Sequence, residues 1–190
     1  MRLIDMLLYE AKKITVVDQI RHYTDLSRPL SRELYKHHAN GTEIPEFVDV
    51  HHIPTLDKIV SKKLPKNITL YSGIRHDPRT TMSGDDTMHI PAYMSTSTKY
   101  GIAQKFADRQ AARKDVFDTH GVSKAESAHI LEINAKKGQF ASNISKKSLE
   151  RDESEYLLPR NTILKLSDKP EILHGSDRDT YVWSCIIFKQ

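Results

Sequence analysis

The chain has 190 residues, 38% hydrophobic and 28% charged, a composition that buries one soluble core without metals or disulfides. Its single cysteine, Cys185, rules out an intrachain disulfide and fits a reducing compartment. No apolar run approaches the roughly 18–20 residues of a membrane-spanning helix. The 29 Lys and Arg outnumber the 25 Asp and Glu, giving a formal charge of +4. Both signs are interspersed, so Lys62-Lys63 with Lys66, Lys136-Lys137 and Lys146-Lys147 read first as solvated surface and second as contacts for an acidic or nucleotide partner.

The first third reads helical. Leu3, Ile4, Leu7, Leu8 and Ala11 keep the 3, 4, 7, 8 spacing of an apolar helix face. Asp5 interrupts this stretch and no small-residue cleavage site follows, so it is read as a helix and not as a signal peptide. A second helix is expected from Ser27 to about Ala39, capped by Ser27, with Pro29 near its start and Asn40-Gly41 as its stop. Ile44 to Pro54 reads as loop, and Leu56, Ile59 and Val60 as a short helix ending before Pro65.

Past Pro65 the pattern changes. Asn67 to Ile74 is rich in β-formers and is expected to be a strand turning at Gly73. His76 to Asp86 reads as loop and His89 to Met94 as a strand running into Ser95, Thr96, Ser97 and Thr98. Ile102, Ala103, Phe106, Ala107 and Ala111 mark one helix face, with Ser97 or Thr98 as its N-cap. From Ala128 onward come strands: AHILEINA, EYLLPRNTILKLS with a break at Pro159, EILH and TYVWSCIIF. Helices first and short strands later predict an α+β fold.

Three groups of residues carry candidate chemistry. Glu153 and Glu155 flank Ser154 at a strand start, where a two-residue spacing would put both carboxylates on one face. Ser95, Thr96 and Ser97 supply hydroxyls that can orient a carboxylate and keep it ionised. Tyr71, Gly73 and Arg75 combine an aromatic ring, a residue permitting close backbone approach and a guanidinium suited to pyrophosphate or ribose. Each group alone also reads as ordinary surface or turn chemistry. The paired histidines His37-His38 and His51-His52 do not converge on one ion unaided, so no metal is expected.

In this order and spacing, the groups resemble the mono-ADP-ribosyltransferases of the arginine–serine–glutamate class. That family has an aromatic–arginine pair at the end of one strand, a Ser-Thr-Ser motif on the next, and a Glu-x-Glu pair opening a later strand. Here the counterparts are Tyr71 with Arg75 nearby, then Ser95-Thr96-Ser97, then Glu153-Ser154-Glu155 running into Tyr156-Leu157-Leu158-Pro159. The helix segment Ala103 to Ala107 also resembles the family, and the likeness covers about Pro65 to Gln190. The departure is Ser72, which stands where the family has arginine directly after the aromatic residue.

The resemblance implies a split β-sheet core of this type at residues 65–190, with the helical segment 1–64 packed on it in one compact domain overall. It implies NAD as co-substrate, with Glu155 and Ser95 acting on the donor and Glu153 on the acceptor. Tyr71, Gly73, Arg75, Thr96 and Ser97 would line the nucleotide site. A glutamate at the first acidic position goes with arginine acceptors in the family. The implied partner is therefore a protein with an exposed arginine, with no membrane involved and nucleic acid left open. Water as acceptor, or an inactive domain serving as a binding module, are the alternatives. Small size resembles the transferases that bacteriophages use on host proteins and the catalytic parts of bacterial toxins, so action in a bacterial cytoplasm is expected.

Overall fold

A computed structural model describes residues 17, 20, 21, 30, 31, 33–39, 41, 53–82, 84–112, 127–146, 152 and 154–190. Residues 33–39 are helical. They end at Gly41, whose φ of +63° and N–H bond to the His37 carbonyl at 2.9 Å make the expected glycine stop. Helix α1 spans Ile53–Val60, starting earlier than the sequence pattern suggests. It buries Ile53, Leu56, Ile59 and Val60 at helical spacing. The first expected helix, Leu3 to Ala11, lies outside the described residues.

The strands are β1 (Ile68–Ile74), β2 (Thr87–Ile90), β3 (Met94–Ser97), β4 (Ala128–Ala135), β5 (Ser142–Asn143), β6 (Glu155–Leu158), β7 (Thr162–Leu166), β8 (Glu171–Leu173) and β9 (Thr180–Lys189); helix α2 (Tyr100–Ala112) follows β3. They join in the order β2-β7-β9-β4-β1-β3-β6-β5. β9 holds the arrangement together: it lies parallel to β4 and pairs on its other edge with β8 near its start and β7 near its end. The molecule is thus an α+β fold, helices before strands, as the sequence predicts.

Several expected elements are corrected. His89 to Met94 is not one strand. Pro91, Ala92 and Tyr93 separate β2 from β3, because proline cannot donate to a ladder. Ser95, Thr96 and Ser97 consequently lie within β3. Ser97 Oγ accepts from Lys99 N at 3.0 Å, just before the first helical residue, Tyr100, so it fixes the turn and does not cap the helix. β1 does not turn at Gly73; pairing with β4 runs on through Gly73↔Ile130 and Ile74↔His129.

Burial on the two sides of the sheet follows strand alternation. One side packs Leu70, Leu131, Ile133, Leu158, Leu164, Trp183 and Cys185 in the main core. On the other side, α2 covers Ile130 and Ala128 with Ala103 and Ala107. Farther along that side, Leu157 packs with Leu34, Leu56, Ile59 and Tyr93. A polar clamp secures α1 there. Arg160 Nε and Nη2 donate to Asp57 at 3.1 and 2.9 Å, and the Tyr93 hydroxyl lies 2.6 Å from Asp57 Oδ1. Burial, then Asp57, raises the Tyr93 phenol well above the usual tyrosine range, so it stays a donor.

Candidate active site

Register places one row of side chains across five strands. Glu155 on β6 stands opposite Ser97 on β3, Ser97 opposite Tyr71 on β1, Tyr71 opposite Glu132 on β4, and Glu132 beside Ser184 on β9. Paired residues share a sheet face, and neighbouring strands lie about 4.8 Å apart. Three residues distant in sequence therefore stand in adjacent strands.

Glu155 is 5% exposed, and its Oε2 is shielded from solvent. Its main chain is held from the other edge, the carbonyl accepting from Ile144 N at 3.0 Å and Ser145 Oγ at 3.3 Å. A charged carboxylate is rarely buried so deeply without a purpose, because its desolvation opposes folding. Ser97 is also buried. Ser95 is exposed and shares its face by alternation, but it stands opposite Leu157, diagonal to Glu155.

The other expected site residues lie elsewhere. Thr96 is buried on the opposite face, where Oγ1 donates to the Tyr156 carbonyl at 2.9 Å and ties β3 to β6. Gly73 lies under α2: an added Cβ would meet Ala103 O at 2.4 Å and Ala107 N at 2.5 Å, so the close approach it permits is that of a helix. Arg75 is exposed just past the end of β1. Ser72, at the position of the family arginine, is 8% exposed and donates from Oγ to the Ser95 carbonyl at 3.0 Å, joining β1 to β3. Glu153 lies outside the described residues. β6 begins at Glu155, and the preceding Ser154 has a φ of +49°.

Tyr71 is half-buried. Its ring meets Tyr100, in the first turn of α2, edge to face at 5.6 Å, and its hydroxyl donates to Glu132 Oε1 at 3.3 Å. Burial, and then Glu132, raises its phenol above the ordinary value. Tyr100 and Glu132 were not singled out by sequence reasoning. The signal for Glu132 was a carboxylate set between Leu131 and Ile133 in mid-strand. His38, read as unable to bind an ion without help, lies with Nε2 3.0 Å from His89 Nδ1. Among the described residues, no group of three or more His, Cys, Asp or Glu gathers as a metal site.

A half-exposed aromatic ring, hydroxyls and a buried carboxylate along one row fit a donor whose ribose gains positive charge as it reacts. Comparison with known proteins places the chain in a family. The ADP-ribosyltransferase exoenzyme family model matches residues 10–184, and the chain belongs to that family. It is an NAD-dependent ADP-ribosyltransferase.

No curated protein matches the chain in sequence. Among solved structures, it is similar to Plx2a, an ADP-ribosyltransferase toxin from Paenibacillus larvae (20% identity, 92% of this chain and 86% of that one, TM-score 0.67). It is also similar to the Clostridium limosum C3 exoenzyme (16% identity, 100% and 96% covered, TM-score 0.65). A third similar structure is C3stau2 from S. aureus with NAD (16% identity, 100% and 97% covered, TM-score 0.60). At these identities the likeness concerns the fold.

Proposed function

We propose that this chain transfers ADP-ribose from NAD to an arginine side chain of a protein and releases nicotinamide, as a member of the arginine–serine–glutamate class. The observation that supports this most is the buried Glu155 standing one strand from Ser97 and two from Tyr71. NAD supplies the ADP-ribosyl group, with positive charge gathering on the ribose as nicotinamide departs. Glu155 offers that charge a fixed carboxylate in a site of low water content. Ser97 and Ser95 orient it from the facing strand. The Tyr71 ring forms a wall of the nucleotide site, and Thr96 and Gly73 hold its frame from behind and from α2.

Arg75 takes the pyrophosphate in this reading, a role in which lysine cannot reproduce the planar fork. It lies roughly 13 Å along the chain from Tyr71, four residues at strand spacing. Arg75→Lys is expected to raise KM for NAD several-fold. Ser72→Ala is expected to cost about 1 kcal/mol of stability through its lost bond to Ser95, with little change in KM. The reverse order in KM would assign the nucleotide to Ser72.

Glu153 acts on the acceptor, accepting hydrogen bonds from its guanidinium and taking a proton as the nitrogen attacks. Residues 142–152, with Lys146, Lys147 and Arg151, would meet an acidic surface around the target residue. The target is a bacterial host protein in this reading, modified in the cytoplasm by a phage-type or toxin-type transferase, and segment 1–64 packs on the core as part of one domain. Among the described residues, no helix is long and apolar enough to cross a membrane. Glu153→Gln tests the acceptor assignment. Transfer to an arginine-bearing protein is expected to fall sharply while cleavage of NAD by water partly survives; equal loss of both would remove Glu153 from the acceptor's side.

A further inference from the structure

The row that contains Glu155 does not stop at Tyr71. Its next member, Glu132, is half-buried in mid-β4 on the side of the sheet where Ala128 and Ile130 lie sealed under α2. A solvated strand carboxylate would be indifferent to its neighbours. Glu132 instead accepts from the Tyr71 hydroxyl at 3.3 Å, and among the described residues no cation lies within ion-pair reach of it. Tyr71 is thus held at two points: its ring by the edge of Tyr100 at 5.6 Å and its hydroxyl by Glu132. Tyr100 is in turn fixed by its hydroxyl, which donates to Gln104 Oε1 at 2.9 Å, and Gln104 Nε2 donates to Asp108 and to Thr180 on β9, both at 3.0 Å.

We propose that Glu132 is a positioning residue for NAD, acting through Tyr71: it fixes the angle at which the ring borders the site shared with Ser97 and Glu155. The proposal rests on the reading of Tyr71 as a wall of the nucleotide site. A ring held at its far end as well as along its edge has less rotamer freedom left to lose, and ordering it before NAD arrives spares that cost on binding. The contact needs a protonated phenol as donor, and Tyr71 has one across the neutral range, since burial and then the Glu132 charge hold its pKa above the ordinary tyrosine value. An amide oxygen would accept the same hydrogen bond as the carboxylate. The role therefore depends on an acceptor at this position, with no requirement for negative charge.

The test compares Glu132→Ala, Glu132→Gln, Tyr71→Phe and the Glu132→Ala/Tyr71→Phe double variant, reading the Kd for NAD by calorimetry and the KM and kcat for nicotinamide release. Glu132→Ala is expected to weaken NAD binding roughly three- to tenfold, the worth of one net hydrogen bond, with a smaller effect on kcat. Tyr71→Phe should match it, the double variant should be no worse than either single one, and Glu132→Gln should restore most of the affinity. Alkaline titration of protein carrying 13C at the tyrosine ζ carbons reads the contact without NAD, and Tyr71 should ionise at lower pH in Glu132→Ala.

If the wild type binds and cleaves NAD but Glu132→Ala binds it unchanged, the positioning role is overturned and the functional reading stands. Additive losses in the double variant, or a Glu132→Gln variant as weak as Glu132→Ala, overturn it as well, because the effect would not pass through this hydrogen bond. An unshifted Tyr71 titration overturns the contact itself. A wild type that neither binds nor cleaves NAD overturns the functional reading, and this inference with it.

Discussion

Glu155→Gln is expected to lower nicotinamide release from NAD by on the order of 10²–10³-fold, the usual cost of removing an electrostatic partner of a transition state. The substitution is nearly isosteric, so it keeps the packing of a side chain that is 5% exposed and leaves the β3–β6 pairing around it intact. What it removes is the charge. The variant should accordingly fold about as stably as the parent, bind NAD with similar affinity and fail at the bond-breaking step. Loss of activity with unchanged thermal unfolding separates a chemical role from a structural one. A Glu155→Gln enzyme releasing nicotinamide at a near-normal rate would remove the carboxylate from the chemistry.

The second large effect is structural. Gly73→Ala is expected to destabilise the protein by about 3 kcal/mol or more, at or beyond the upper end of ordinary overpacking. The new Cβ would meet the Ala103 carbonyl oxygen at 2.4 Å and the Ala107 nitrogen at 2.5 Å, both backbone atoms of α2. Neither is the end of a flexible side chain that can move aside, so the helix itself must lift from β1. Lifting α2 also displaces Tyr100 from Tyr71, and activity should fall along with stability. Gly84→Ala is the control: nothing lies within 4 Å of its added Cβ, and its effect should stay within about 0.5 kcal/mol. Equal midpoints for the two variants in urea unfolding would contradict the close packing of α2 on β1.

Gly73 also shows where sequence reasoning reaches its limit. Its presence between β-formers signalled a close approach, but composition cannot say whether ligand, turn or helix approaches. Strand alternation sets Ile130, Glu132 and Asn134 on one face of β4. Trp183 and Cys185, two residues apart on β9, are 1% and 2% exposed. Burial, with a smaller contribution from Glu132, pushes the Cys185 thiol up to about 12. The Ser95–Ser97 and Glu155 motifs were legible as types and order, yet which serine faces Glu155 is a matter of register, and register emerges only when β3 and β6 pair. Of the Glu153–Glu155 pair, Glu155 opens β6 after a left-handed Ser154, and Glu153 lies outside the described residues. Glu132 went unremarked because its significance lies in a contact with a residue 61 positions away.

The most direct measurement is a time course of nicotinamide release from NAD by the wild-type chain, with and without an arginine-bearing protein acceptor, followed by mass analysis of that acceptor. Release that accelerates with acceptor, matched by one ADP-ribosyl unit on an arginine for each nicotinamide freed, is the expected result. No release under either condition would contradict the account at its centre, and release that ignores the acceptor and leaves it unmodified would make the chain a hydrolase of NAD.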